Sequence, residues 1–168
     1  MLIRKTKEED VATILEIIEI TRENFRKEFI PQWQGEYPSR DVILTDISNG
    51  ESYVCEDNGK VVGFCAIIPG KDPSYKNIYD GEWKAAGGYV ALHRVALHPN
   101  VKGKGVAHMF VGEAVSVAKD LGLFSVKCDT HRKNISMRRM LEKNGFEYCG
   151  IIYLCDDGAE RFAYQKLV

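Results

Sequence analysis

The stretch Leu92-His93-Arg94-Val95-Ala96-Leu97-His98-Pro99-Asn100-Val101-Lys102-Gly103-Lys104-Gly105-Val106-Ala107 reads as a strand, a turn and the start of a helix. Val95, Ala96 and Leu97 are apolar and strand-like, and Pro99, which has no amide hydrogen, ends the run. Met109, Phe110 and Val111 then open a helical pattern. A helix N-terminus presents unpaired amides and a partial positive charge. Glycine lets a phosphate approach that backbone closely. Lys102 and Lys104 add full charges, so the segment suits a phosphorylated ligand, above all a pyrophosphate. The same string also serves as a plain tight turn between strand and helix. It is not the nucleoside-triphosphate loop, because no G-x-x-x-x-G-K-[ST] string occurs. The dinucleotide fingerprint fails too, since His108 stands where its third glycine belongs.

The chain of 168 residues is most simply one domain, 1–168, long enough to bury a substantial core. Hydrophobic residues make up 45% and charged ones 28%, the balance of a soluble globular protein. A net charge of −1 gives no general attraction to nucleic acid or to anionic membranes. The basic residues Arg132, Lys133, Arg138, Arg139 and Lys143 form a local cluster, read as a helix face. Cys55, Cys65, Cys128, Cys149 and Cys155 are odd in number and show no C-x-x-C or cysteine/histidine ligand spacing. They read as reduced thiols of a cytoplasmic protein, with Cys149 the alternative as a reactive thiol, and no metal is expected. The N-terminus lacks the apolar core of a signal peptide, and the longest apolar run, Val61 to Ile68, is too short to span a bilayer.

Along the chain, Leu2 to Lys5 reads as a short strand, and Thr6 with Glu9 as a capping box. Val11, Ile14, Leu15 and Ile18 give a helical stripe that ends before Pro31. Ser39 caps a second helix reaching about Ser48. Residues 51–56 and 60–68 read as a hairpin across Asp57-Asn58-Gly59, and residues 69–88 as a long loop carrying its own aromatics. Tyr89 to Leu97 is the central strand, and Gly105 to Leu121 the helix after it. A strand (124–130), a helix (134–144) and two strands (146–155 and 160–167) follow. The predicted order is β-α-α-β-β-β-α-β-α-β-β.

Two motifs carry a family resemblance. Lys102, Gly105 and Ala107 are similar to the [RQ]-x-x-G-x-[GA] loop of the GNAT family of N-acetyltransferases, with Lys102 in place of the usual arginine or glutamine. Asn134 to Phe146 resembles that family's N-x-x-[SA]-x-x-L-Y-x-K-x-G-F helix, with Leu141 where the tyrosine stands. The resemblance covers nearly the whole chain. It implies an α/β acyl-CoA N-acyltransferase fold, a mixed and mostly antiparallel central sheet flanked by helices. The implied cofactor is acetyl-CoA (coenzyme A). Its pantetheine arm would pair with the backbone at Val95 and Leu97. Its pyrophosphate would meet the amides of Gly103, Lys104, Gly105, Val106 and Ala107 beside the charges of Lys102 and Lys104. Asn134 matches a family asparagine that bonds the pantetheine or phosphate region, and it also reads as an ordinary helix N-cap.

The implied reaction moves an acetyl group to the primary amine of a small molecule or peptide by direct attack. Strand alternation puts His93 on one face with Val95 and Leu97. The family often sets its base upstream on this strand, and imidazole suits that work near neutrality. A hydrogen-bonded structural histidine is the competing reading, and His131 is a second candidate base. His98 and His108 read as surface residues. Leu141 cannot donate a proton, so the acid is another group (Tyr148, Cys149 and Tyr153 lie nearby) or the thiolate leaves unassisted. Trp33, Tyr37, Tyr75 and Trp83 are candidates to bind the acceptor, through cation–π contacts if it is a cation, or else they anchor long loops. Glu36, Asp72, Asp80 and Glu82 could favour a positively charged amine. Homodimers are frequent in the family. The alternative function is a non-catalytic acyl-CoA-binding sensor on the same fold, for which Leu141 is the motif-level argument.

Overall fold

In the computed structural model, which describes residues 1–70 and 72–168, the chain begins with strand β1 (Leu2–Lys5) and helix α1 (Val11–Lys27). Asp10 fixes the entry to α1. Its carboxylate accepts from the Lys7 amide at 2.8 Å and from the Arg4 guanidinium at 2.7 and 3.0 Å. The expected Thr6–Glu9 box does not form. The Thr6 hydroxyl is instead 2.7 Å from that of Ser52, because the chain turns there to follow its neighbour strand. Helix α2 (Arg40–Ser48) is capped as expected, Ser39 Oγ accepting from the Val42 amide. Strands β2 (Ser52–Asp57), β3 (Lys60–Pro69) and β4 (Tyr89–Leu97) follow, then α3 (Val106–Asp120), β5 (Ser125–Thr130), α4 (Ile135–Lys143), β6 (Glu147–Tyr153) and β7 (Glu160–Leu167). This is the predicted order, and the hydrogen-bonded strands make a seven-stranded, mostly antiparallel sheet. No helix among the described residues is long and apolar enough to cross a membrane.

The chain forms two compact units, Met1–Ile67 with Arg94–Phe110, and Ile68–His93 with Val111–Val168. In the first, strands run in the order β1-β2-β3-β4. The α1 stripe of Val11, Ile14, Ile17 and Ile18 is buried with Ile43 of α2, Val54 of β2, Phe64 of β3 and Ala96 of β4. Apolar burial of this kind is the dominant favourable term in folding.

In the second unit the order is β4-β5-β7-β6. β4 and β5 are parallel, Tyr89–Ala91 against Ser125–Lys127, while β5–β7 and β6–β7 are antiparallel. Tyr75, Ala91, Ile152 and Ala163 form its core cluster. The long loop before β4 is strapped down rather than free. It contains a 3₁₀ turn (Pro73–Tyr75), and Tyr79 exchanges two 2.8 Å backbone hydrogen bonds with Ile151. The buried Gln165 amide bonds both the N–H and the C=O of Ala85, at 3.2 and 3.1 Å. Cys55, Cys65, Cys128 and Cys149 are buried, and Cys155 is exposed.

One residue interrupts β4. Arg94 has φ 57, a left-handed conformation uncommon for a non-glycine residue and costing of order 1–3 kcal/mol. Its guanidinium is held by both Asp46 oxygens, at 2.9 and 2.8 Å, and by the Tyr37 hydroxyl at 2.7 Å. The strand alternation predicted from sequence therefore fails at this point. The left-handed Arg94 stands between His93 and Val95, so the regular pleat is broken there. Beyond the break, Ala96 enters the α1 core cluster, and Leu97 packs where a side chain on Gly63 would lie, 2.7 Å from its Cβ position.

Two outcomes follow for stability. Asp46→Ala strands a buried guanidinium and should cost about 3–5 kcal/mol in chemical denaturation, more than the paired change Asp46→Leu with Arg94→Met. Hydrogen bonding from Arg4 holds the Asp10 carboxyl below its ordinary range, outweighing the opposite effect of burial. That stabilisation is complete above the unfolded carboxyl value of about 3.9 and is lost as pH falls through the lower folded value. Asp10→Asn should therefore melt below the parent protein at neutral pH, with the gap closing in acid.

Candidate active site

The loop Lys102–Gly105 joins a short 3₁₀ turn (Pro99–Val101) to α3. Gly103 and Gly105 have φ 80 and 85, conformations that favour glycine. A Cβ at either would meet no atom within 4 Å, so the loop opens onto clear space. The first helical bond runs from the Met109 amide to the Gly105 carbonyl at 3.0 Å, so the Val106 and Ala107 amides precede the helical ladder. The Lys104 amide already donates to the Val101 carbonyl at 3.1 Å, and the Lys102 amide to the Pro99 carbonyl at 3.1 Å. Of the five amides expected to face a phosphate, that of Lys104 is thus engaged elsewhere, leaving its exposed ammonium as its contribution. Val106 has a buried side chain and could contribute only through its backbone. An open, amide-lined, cationic loop fits a pyrophosphate.

The register of β4 with β5 covers Tyr89–Ala91, and β4 runs on to Leu97. Val95 and Leu97 lie in that further stretch, where the family resemblance puts backbone pairing with pantetheine. Asn134 is buried and caps α4, its side-chain oxygen accepting from the Met137 amide at 3.1 Å.

The second unit gathers a polar cluster around His93. Its Nε2 is 3.1 Å from Asp72 Oδ2 and its Nδ1 is 3.9 Å from Asp129 Oδ1. The buried Tyr75 donates its hydroxyl to Asp129 Oδ1 at 2.7 Å, and its ring centroid is 5.8 Å from that of His93. Arg161 Nε lies 3.9 Å from Asp129 Oδ2. Asp72 accepts from the Ser74 amide at 2.8 Å, and its own amide donates to the Tyr89 hydroxyl at 3.0 Å. Burial pushes the Asp72 carboxyl up, but the His93 contact and the Ser74 bond outweigh it and hold the group below its ordinary range. Burial and the Asp129 charge push the Tyr75 hydroxyl well up, so it is a donor and not a phenolate.

Of the four candidate acceptor-binding aromatics, Tyr75 and Trp83 belong to this cluster, with ring centroids 5.4 Å apart and Trp83 Nε1 donating to the Tyr75 carbonyl at 3.1 Å. Trp33 and Tyr37 belong to the other unit. Trp33 packs on the α1 core and on Phe25, and Tyr37 on Arg94. The buried Lys127 places its ammonium 3.8 Å over Trp83 and 4.3 Å over Tyr89, and burial lowers its pKa. His131 accepts from the Lys133 amide at 3.1 Å, and burial with the nearby Arg161, Lys133 and Arg132 charges pushes it down. His98 accepts from the Asn100 amide. Leu141 is fully buried, so the position of the family tyrosine is apolar core. Cys149 is buried, and burial raises its thiol, which argues against a reactive thiolate.

The partnership of Asp72 and Asp129 with His93 was not read from the sequence. A signal existed for Asp129: with Lys127 it puts two charges on one face of a strand whose neighbours Val126 and Cys128 are apolar.

Comparison with known proteins accords with the fold. The model of the Acetyltransferase (GNAT) family matches residues 15–146. An acetyltransferase of the GNAT family from Streptococcus agalactiae is similar at 34% identity and TM-score 0.88, over 99% of this chain and 95% of that one. The PaiA N-acetyltransferase of Thermoplasma acidophilum, solved with coenzyme A, shares the fold at 20% identity and TM-score 0.73, over 99% and 98% of the chains. No curated protein matches the sequence.

The loop geometry makes Gly105→Glu a direct test. Space exists for the side chain, and Gly105→Ala, which carries the same backbone strain at φ 85 without the charge, is the control for the fold. A carboxylate against a pyrophosphate costs several kcal/mol, so coenzyme A affinity in calorimetry should fall by about a hundredfold or more. Unchanged affinity would contradict the assignment of this loop.

Proposed function

Because the chain belongs to the GNAT family of acetyltransferases, we propose that it is an N-acetyltransferase whose general base is His93 and whose acceptor is the primary amine of a small molecule or peptide. The family's cofactor is acetyl-CoA. Gly103, Gly105, Val106 and Ala107 would hold its pyrophosphate by their amides, with Lys102 and Lys104 supplying charge. Val95 and Leu97 would offer backbone pairing to the pantetheine arm, and Asn134 a polar contact. When bound, acetyl-CoA supplies an acetyl thioester: the amine nitrogen bonds the carbonyl carbon, the carbon–sulfur bond breaks, and the leaving thiolate takes up a proton. The amine proton goes to His93 and from there to solvent. Tyr75 and Trp83 would border the acceptor, and Asp72 would favour a cationic one.

The observation that carries this reading is the setting of His93, a partly exposed imidazole 3.1 Å from the Asp72 carboxylate and beside the buried Tyr75 and its partner Asp129. General bases contribute about 10²–10⁴-fold to rate. The experiment is thiol release from acetyl-CoA over a panel of amines, amino acids and short peptides, with acetyl-CoA binding measured beside it. Turnover with one amine class, reduced by about that factor in His93→Ala at unchanged cofactor affinity, supports the proposal. Tight binding with no turnover on any acceptor favours the sensor reading, which the apolar burial of Leu141 recommends.

A further inference from the structure

The reading of His93 as base gives neither of the two carboxylates beside it a role toward the ring itself, and their placement differs in kind. Asp72 Oδ2 is within hydrogen-bonding distance of Nε2, whereas Asp129 Oδ1 at 3.9 Å is outside that distance from Nδ1. We propose that Asp72 and Asp129 are positioning residues for His93, Asp72 fixing the ring with its proton on Nε2 and Asp129 standing beside Nδ1 as counter-charge for the imidazolium. The inference rests on the reading of His93 as the base.

An ionised carboxylate only accepts, so the atom facing Asp72 has to carry the hydrogen. The lone pair is then on Nδ1, the atom left to receive the amine proton. Asp129 does not consume that lone pair, being an acceptor itself and too distant. Once Nδ1 is protonated, it meets a negative charge already in place, with no reorganisation needed.

Each carboxylate is in turn held. The Asp72 carboxylate accepts from the Ser74 amide while its backbone amide donates to the Tyr89 hydroxyl, and the Asp129 carboxylate accepts from the Tyr75 hydroxyl at 2.7 Å with Arg161 farther off. Tyr75 packs between Trp83, Tyr89 and His93, and Lys127 sits over Trp83 and Tyr89. Asp72, Asp129 and Tyr75 are ionisable side chains that face the ring, with Arg161 beside Asp129 and Lys127 over Trp83 and Tyr89.

The test joins kinetics to histidine ¹⁵N–¹H spectra of the whole protein. The parent should show a downfield, exchange-protected proton on His93 Nε2. Asp72→Ala should lose that signal and lower kcat, by no more than the roughly 10²–10⁴-fold a general base supplies, with KM for acetyl-CoA unchanged. Asp72→Glu should restore both in part, which a fold-wide defect would not allow. Asp129→Asn should lower kcat while keeping the Nε2 proton. A parent ring protonated on Nδ1 instead, or Asp72→Ala with wild-type kcat, would overturn the proposal. If His93→Ala turns over at the parent rate, the base reading itself fails, and the two failures are told apart by that variant.

Discussion

The ion pair of Arg94 with Asp46 is the constraint on which the geometry of β4 depends. A central strand ordinarily alternates its side chains from end to end. Here a left-handed residue stops the alternation one position after His93, and the bidentate carboxylate of Asp46 together with the Tyr37 hydroxyl keeps the guanidinium satisfied while nearly buried. An arginine left unpaired there would be costly, and a planar fork matched to a carboxylate is the arrangement best able to offset that cost. The same strand therefore does two jobs. Its first half, through Ala91, pairs with β5 and presents His93 to two carboxylates. Its second half buries Ala96 and leads through Pro99 into the glycine loop and α3.

A second constraint acts on the long segment before β4. A surface loop of that length is commonly mobile, yet here its ends and middle are tied by backbone bonds, by Gln165 and by the aromatic stack of Tyr75, Trp83 and Tyr89. Lys127 belongs to this stack. The ring faces offset part of the hydration its ammonium loses, and cation–π attraction is strongest where water is excluded. The result is a fixed wall beside His93, and rigid placement of a base is what proton transfer at a defined distance needs.

Most of the fold was legible because its signals are local. The α1 stripe, the Ser39 cap and the Asn58-Gly59 turn all stand where periodicity and turn chemistry put them. The glycine loop was legible for the same reason. The site around His93 was only half legible. Its histidine could be named, but the break in the strand beside it could not, since nothing in His93-Arg94-Val95 announces a left-handed arginine. The carboxylate that holds its guanidinium, Asp46, lies forty-eight residues away. Asp72 and Asp129 meet the ring only through the packing of a loop and a neighbouring strand, which no spacing rule connects. Trp33, grouped with the acceptor aromatics from sequence, is a core anchor, because an indole beside Phe25 buries more area against α1 than a solvent-facing loop offers.

The central proposal is that one strand leads into the cofactor loop and carries the base. A crystal structure of the protein with coenzyme A and an amine acceptor addresses it most directly. The account predicts pyrophosphate oxygens on the amides of Gly103, Gly105, Val106 and Ala107, and the acceptor nitrogen on His93 Nδ1, directly or through one water. A pyrophosphate held away from this loop, or an acceptor nitrogen whose nearest base is not His93, would contradict it.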